Sequence, residues 1–466
     1  MDLPLAKPIK RCILKKSAAE KYAAVTQPYR ESAVSMNTTN FVHPRDQIVE
    51  IMKRIYGYGM TTTSGGNLSI LDSEGNMWIS PGSVDKGTLH REDIVCVKPD
   101  GTVIGRHKPS SEFPFHRAIY KIRPDVKAIL HAHPPALVSF SVAGKIPNTA
   151  VHPTAKMICG TVGYAPYEVP GSEALGKNVA AAFSAGHSTI LLENHGACTA
   201  GATLLQAFQR FETLDFCARL INRSTQIGTP HYLSDTDIEF SMLDRNTDFR
   251  PFDPEIRTSE EMELRYQMTE LIRRAYRQML FTSTEGTFGV RVDKERFLIT
   301  PRGVDRGTIR PEDLVLVKGF RYESGRKLSR AAWFFKAIFD AQPELNSLII
   351  ANPPHLMAYT VAHEKFDPRV IPESYILLRE MPTFEYGTNY RDLKRITDTL
   401  SPRYPIILIQ NDCMVSSGKT LLEAYDRMEV AEYSAKATVS ARNLGGMKPI
   451  TDAQIADLVK AFKLIP

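Results

Sequence analysis

Ile129-Leu-His-Ala-His-Pro-Pro135 returns later in the chain as Leu348-Ile-Ile-Ala-Asn-Pro-Pro354, with both histidines gone. The same happens upstream and downstream. Ile79-Ser-Pro-Gly-Ser-Val-Asp-Lys-Gly-Thr88 returns as Ile299-Thr-Pro-Arg-Gly-Val-Asp-Arg-Gly-Thr308, and Asn194-His195 with Gly201-Ala-Thr-Leu-Leu205 returns as Asn411-Asp412 with Gly418-Lys-Thr-Leu-Leu422. A repeat this long, kept in order and spacing, is two domains of one fold and not a solenoid. His131 therefore corresponds to Ile350, His133 to Asn352 and His195 to Asp412. One half keeps three histidines that the other has lost at each position.

The chain is long enough for this. Its 466 residues, 43% hydrophobic and 24% charged, can bury two ordinary cores. We read a basic mobile arm over residues 1–40, an active domain over 41–223, a polar linker over 224–258, a degenerate domain over 259–446 and a C-terminal helix over 447–466. Thr451-Asp-Ala-Gln454 supplies a capping box for that last helix. The net charge of +6 comes mostly from the arm, which leaves the body near neutral and argues against a nucleic-acid surface. Apolar runs such as Pro405-Ile-Ile-Leu-Ile409 fall far below the roughly 18 residues of a membrane span. Six cysteines without a C-x-x-C pair point to a reducing, cytoplasmic setting.

Strand and helix signals alternate, as in an α/β layered domain. Met77–Ile79, Ile94–Val97, Ala128–Leu130 and Thr189–Leu192 read as strands, and Arg45–Tyr56, Glu112–Ile122, Ser172–Phe183 and Leu204–Asn222 as helices. No dinucleotide or P-loop glycine pattern is present. On a strand ending at Pro134-Pro135, His131 and His133 point to one face. With His195 they offer three imidazoles and leave a coordination position open, as a catalytic zinc requires; manganese, cobalt and iron are alternatives. Three unrelated polar residues at strand ends are the other reading. Their joint loss in the second half favours a shared ligand set.

Lys108-Pro-Ser-Ser-Glu-Phe-Pro-Phe-His116 forms a second constellation. Ser110 and Ser111 stand where a helix N-cap belongs, with Glu112 in the first turn, and such an end attracts a phosphate or is ordinarily capped. The copy reads Ser329-Arg330-Ala331, so the carboxylate is lost with the histidines. Thr63-Ser-Gly-Gly-Asn67 is a glycine-rich turn that presents backbone N–H groups to an anion, or a plain turn.

Through S-G-G-N, S-P-G, P-S-S-E-x-x-x-H, H-A-H and N-H-G, all in order, the first half resembles the class II aldolase/adducin family. The resemblance implies a three-layer α/β domain, here duplicated in tandem. It implies His131, His133 and His195 as metal ligands, Glu112 as catalytic acid/base, and Ser64, Asn67, Ser83, Ser110 and Ser111 around a substrate phosphate. It also implies cleavage or formation of a carbon–carbon bond in a sugar phosphate, a ketose 1-phosphate giving dihydroxyacetone phosphate and an aldehyde through a metal-stabilised enediolate. Aldolases of the family carry a tyrosine just after a histidine downstream of the H-x-H strand, and it acts from a neighbouring subunit. Here that place reads Val151-His-Pro-Thr154, while the second half reads Ile371-Pro-Glu-Ser-Tyr375. Family tetramers with sites between subunits then imply a pseudo-tetramer of domains built from a homodimer, with Tyr375 entering the first domain's site. The alternatives are epimerisation, dehydration or decarboxylation on the same metal site, and an adducin-like, non-enzymatic interaction protein.

Overall fold

A computed structural model describes residues 42–464, so the arm expected at the N-terminus lies outside the described residues. The first half builds one sheet from β1 (Asn67–Leu71), β2 (Met77–Ile79), β3 (Val95–Val97), β4 (Val103–Ile104), β5 (Ala128–Ala132), β6 (Gly163–Ala165), β7 (Thr189–Leu192) and β8 (Ala197–Gly201), in the order β4-β3-β2-β1-β5-β8-β7-β6. All its pairs are antiparallel except β6 with β7. The second half adds β9 (Arg250–Phe252), β10 (Thr287–Arg291), β11 (Arg296–Ile299), β12 (Val315–Lys318), β13 (Arg321–Glu323), β14 (Ser347–Ala351), β15 (Thr383–Phe384), β16 (Ile406–Ile409) and β17 (Cys413–Gly418). Its order is β15-β16-β17-β14-β10-β11-β12-β13-β9, which is the first sheet repeated with one extra edge strand.

Each sheet is the middle of three layers. On β5 and β7, Ile129, Ile190 and Leu192 face a core shared with helices Phe113–Ile122 and Glu173–Ser184, while Leu130, Ala132 and Leu191 face the opposite core. Strands covered on both faces read as apolar runs, and this is why Thr189-Ile-Leu-Leu192 lacks polar alternation. The opposite core runs on into the second half without a break, joining Phe208, Phe211 and Leu214 to Met268, Leu356 and Met357. The two halves are fused through apolar packing.

That packing is heterologous. Helix Leu204–Ile227 of the first half lies on Pro354–Ala362 of the second, and eight of the nine residues of Pro354–Ala362 are buried. The corresponding pair, Leu421–Ala441 with Pro135–Val142, is not packed together within the chain; only Leu137, Phe140 and Ser141 of Pro135–Val142 are buried, and Val142 is 61% exposed. Polar contacts reinforce the join: Arg54 pairs with Asp305 at 2.7 Å, and buried Glu212 accepts the Ser283 N–H at 2.6 Å.

The connecting segment has structure of its own. Helix Leu204–Ile227 continues past Arg223, Asp235–Met242 forms a further helix capped by Ser234, and β9 pairs with β13 at the sheet edge. Pro251 fits there because an edge strand has no inner partner for its missing N–H. Thr451 and Gln454 form the capping box of helix Asp452–Ala461. The five cysteines among the described residues are free and buried, and no described helix is long and apolar enough to cross a membrane.

Candidate active site

His131 sits near the end of β5, fully buried, and His133 stands just beyond it, where Pro134-Pro135 turns the chain into the next helix. His195 arrives from the turn between β7 and β8. Asn194 holds that turn at a positive φ of 49°, a conformation asparagine tolerates better than most residues. Ser141 Oγ fastens it by accepting the His195 N–H and donating to the Leu192 carbonyl. Gly196 is required beside it: a Cβ there would lie 2.6 Å from both the Ala132 carbonyl oxygen and His133 Cδ2.

One ligand atom from each of the three imidazoles lies within 4.8 Å of the others. His131 donates its Nδ1–H to the Ala197 carbonyl at 2.9 Å, which fixes the tautomer and turns the Nε2 lone pair inward, as metal-binding histidines are held. His133 Nε2 is 3.0 Å from that atom. Glu112 completes the group, with Oε2 3.3 Å from His131 Nε2 and Oε1 3.3 Å from His195 Nε2. Oε1 is buried and has no hydrogen-bond partner.

The electrostatics agree with a cation site. Burial would raise the Glu112 pKa, yet the imidazoles of His131 and His195 and the Asn67 amide hold it well below the usual carboxylate range. Burial lowers His131 while Glu112 raises it, with a net shift upward. These are one interaction seen from two partners: negative charge at Glu112 and positive charge among the imidazoles stabilise each other. Burial, then the His131 imidazole, lowers His133 to about 3 and His195 to about 4, so both offer lone pairs at neutral pH. Three inward imidazoles and an orphaned carboxylate oxygen fit a divalent ion.

The cap assignment needs correcting. Helix Phe113–Ile122 starts one residue later than expected and its N-cap is Glu112, not a serine; Ser110 Oγ accepts the Glu112 N–H at 3.3 Å in a turn just before it. Pro114, in the helix's first turn, commits the backbone early, so the serines fall outside the helix. They still meet the other loops. Gly82 N–H bonds the Lys108 carbonyl and Ser110 N–H the Ser80 carbonyl, which sets Gly82-Ser83 against Pro109–Ser111. Lys86 N–H bonds the Thr63 carbonyl and ties in the turn that carries Ser64. Ser83 has a positive φ of 54°. Asn67 is largely engaged elsewhere: its Nδ2 donates to Glu112 Oε2 at 2.7 Å, and its Oδ1 is 2.5 Å from His116 Nε2.

Tyr375 lies half-buried on helix Pro372–Leu378, which packs on Leu421–Ala441. No hydrogen bond, ion pair or ring contact joins it to the three histidines within the chain. Its first-half counterpart, Val151–Thr154, does reach a pocket, that of the second half. His152 Nε2 donates to the Asp412 carbonyl at 2.7 Å, Asn352 Nδ2 lies 3.0 Å from the same nitrogen, and Thr154 Oγ1 donates to Glu285 at 3.4 Å. The degenerate pocket is filled by its neighbour. Sequence reasoning missed this insertion and also missed the partners of His116, although Phe335 at the matching position was a signal for the latter.

Comparison with known proteins adds the following. A family model described as Class II Aldolase and Adducin N-terminal domain matches residues 46–221 and again residues 266–439. A 5-deoxy-D-ribulose 1-phosphate aldolase of Bacillus thuringiensis serovar kurstaki is 34% identical over 200 residues, 42% of this chain and 92% of the relative. A 3-oxo-tetronate 4-phosphate decarboxylase of Haemophilus influenzae is 31% identical over 199 residues, 42% of this chain and 94% of its own. An L-fuculose phosphate aldolase of Methanococcus maripaludis is 32% identical over 175 residues, 37% and 93% respectively.

Proposed function

The chain belongs to the class II aldolase and adducin family in both halves, and from that premise we propose that the first half is a metal-dependent aldolase acting on a ketose 1-phosphate, yielding dihydroxyacetone phosphate and an aldehyde. The observation that carries this reading is Glu112 Oε1, buried, without a hydrogen-bond partner and 3.3 Å from His195 Nε2 among the imidazoles. A divalent ion held by His131, His133 and His195, zinc first with manganese, cobalt or iron as alternatives, supplies when bound the positive charge that offsets negative charge developing on the substrate's oxygens. Glu112 moves the proton at the carbon where the bond breaks, because its Oε1 lies among the imidazoles without a hydrogen-bond partner while Oε2 is held by Asn67. Ser64, Ser83, Ser110 and Ser111, with the backbone N–H groups of their loops, take the phosphate and set the register of the sugar; Asn67 reaches it with its remaining N–H. The second half keeps the fold without the ligands, so the non-enzymatic reading applies to that half alone.

The active unit is a homodimer. What supports this is the heterologous join, in which the first half's 151–154 stretch enters the second half's pocket. Repeating the same contact between chains covers the open face of Pro135–Val142 with a second copy's Leu421–Ala441, and brings that copy's Tyr375 toward the histidines as proton donor to the departing aldehyde oxygen. Two chains then close a ring of four domains.

Decarboxylation of a phosphorylated 3-oxo acid is the second reading, favoured by the Haemophilus relative. Incubating the metal-loaded protein with a panel of ketose 1-phosphates and 3-oxo acid phosphates separates the two. Both reactions can leave dihydroxyacetone phosphate, so the other product decides. An aldehyde released from a ketose 1-phosphate supports the aldolase, whereas carbon dioxide released from a 3-oxo acid phosphate with no cleavage of any ketose 1-phosphate overturns that choice. Glu112→Gln should keep metal and fold but lose most turnover; near-normal turnover would leave Glu112 as a helix-end carboxylate only.

A further inference from the structure

Behind Glu112 runs a chain of buried polar side chains that neither metal binding nor phosphate binding uses. His116, one turn down helix Phe113–Ile122, is fully buried; its Nε2 is 2.5 Å from Asn67 Oδ1 and its Nδ1 2.7 Å from Ser69 Oγ. Ser69 Oγ is in turn 2.7 Å from the Tyr120 hydroxyl. The directions follow from chemistry. The carboxylate can only accept, so Asn67 must present its NH2 to Glu112 and its oxygen to His116. His116 then donates from Nε2. Burial, with the charge at His131, lowers its pKa to about 3, so it is neutral and accepts on Nδ1 from the Ser69 O–H. Ser69 accepts from Tyr120. Every group in the row is satisfied in one sense only, ending on Glu112 Oε2.

The second half provides the control. There Asn67 becomes Thr287, Ser69 becomes Gly289, Glu112 becomes Ala331, His116 becomes Phe335 and Tyr120 becomes Phe339. Phe335 fills the space of the missing side chain, since a Cβ on Gly289 would lie 2.4 Å from its ring. The fold at this helix–strand contact therefore packs well without any polar group. A polar group that the fold does require is retained nearby: Ser80 Oγ accepts the Leu68 N–H, and Thr300 Oγ1 accepts the Phe288 N–H at the matching place. Around this helix–strand contact polarity was lost along the row leading to the lost carboxylate, as it was at His131, and kept where the backbone needs it.

We propose that Ser69, His116 and Tyr120 are positioning residues that lock the Asn67 amide onto Glu112 Oε2, so that Oε1 alone is free to work at the reacting carbon. The inference rests on the acid/base reading of Glu112. Without the lock, Asn67 can turn over and the carboxylate can rotate, and misplacing a catalytic group by about 1 Å costs on the order of 100-fold.

The test replaces the row with the set the second half already carries, Ser69→Gly/His116→Phe/Tyr120→Phe, in the full-length metal-loaded protein. Exchange of dihydroxyacetone phosphate hydrogens with D2O should slow roughly 10- to 100-fold in kcat with KM unchanged and metal content intact. Single variants cover a failure of the triple to fold: His116→Gln, which can still donate to Asn67, should exchange faster than His116→Phe. Apart from turnover, 15N-asparagine labelling should reveal a slowly exchanging Asn67 side-chain N–H, identified by its absence in Asn67→Asp, that loses protection in the relay variants. An unprotected Asn67 N–H in the wild type, equal protection in wild type and variants, or equal exchange by His116→Gln and His116→Phe overturns the lock. Exchange surviving in Glu112→Gln overturns instead the acid/base reading beneath it.

Discussion

Gly196→Ala adds one methyl group to the turn behind the histidines, and its effect can be worked out from the contacts. Gly196 has an ordinary φ, so no backbone strain enters and the consequence is steric. The new Cβ would meet the Ala132 carbonyl oxygen and His133 Cδ2, each at 2.6 Å, whereas ordinary contact begins at 3.4 Å. About 0.8 Å must be found, against a tolerance of about 0.2 Å in metal–ligand distances. The carbonyl belongs to β5 and is paired with β8, so it resists. The imidazole of His133, or the turn that carries His195, must give way. Either motion spoils one of three ligands while leaving the chain folded, and we expect metal affinity to fall by roughly 10- to 100-fold, the range seen when ligand support is lost. Competition with a coloured chelator measures this directly, with circular dichroism as the check on fold. Wild-type affinity in Gly196→Ala would mean that His133 does not hold the ion where it now stands.

Metal should bind at one equivalent per chain by elemental analysis, because Ile350 has no lone pair and Asn352 is spent on the Asp412 carbonyl; a reproducible two equivalents would contradict this. Tyr375→Phe should lower turnover by roughly 10²–10⁴-fold with metal content unchanged. Mixing it with Glu112→Gln, itself inactive, should restore about a quarter of wild-type activity, since half of randomly paired dimers carry one intact site; no recovery would place the tyrosine in its own chain or outside the reaction. Glu212 is raised to about 7, foremost by burial, so the folded state favours its protonated form. The stability it contributes is full below its unfolded value of about 4.5 and is lost as pH rises through 7, on the order of 3 kcal/mol in all. Glu212→Gln can still accept the Ser283 N–H and should flatten that decline; unchanged pH dependence of thermal unfolding would assign the loss to another group.

Much of this was legible because it is written in local periodicity and in the repeat. The alternation of His131, Ala132 and His133 before two prolines gave both the strand and the convergence, and Ile350 and Asn352 identified the half without ligands. What escaped depends on contacts between residues far apart in the chain. Ser110 looks like a cap until Pro114 and Glu112 set the helix start. β9 is three residues long and becomes a strand only because β13 offers it an edge. Phe335 in the copy marks His116 as belonging with the lost residues, but nothing local says that it faces Asn67 and Ser69, on a strand some 50 residues earlier. His152 belongs to a pocket whose other wall is Asp412, 260 residues away.

That last contact changes how variation in the two halves should be read. A loop that serves the pocket of the next domain is selected for what that pocket needs. Val151–Thr154 answers to a pocket with no chemistry, so His152 is kept, or replaced, according to how well it plugs Asp412 and Asn352. Its variants are expected to act on stability, since His152 meets Asp412 and Asn352 and not the three histidines. In the proposed dimer, Ile371–Tyr375, within the half that has lost all three histidines, would answer to the histidine pocket of another chain. If Tyr375→Phe does silence turnover with metal content unchanged, the half without histidines carries part of the activity, and changes there belong with active-site changes and not with stability changes.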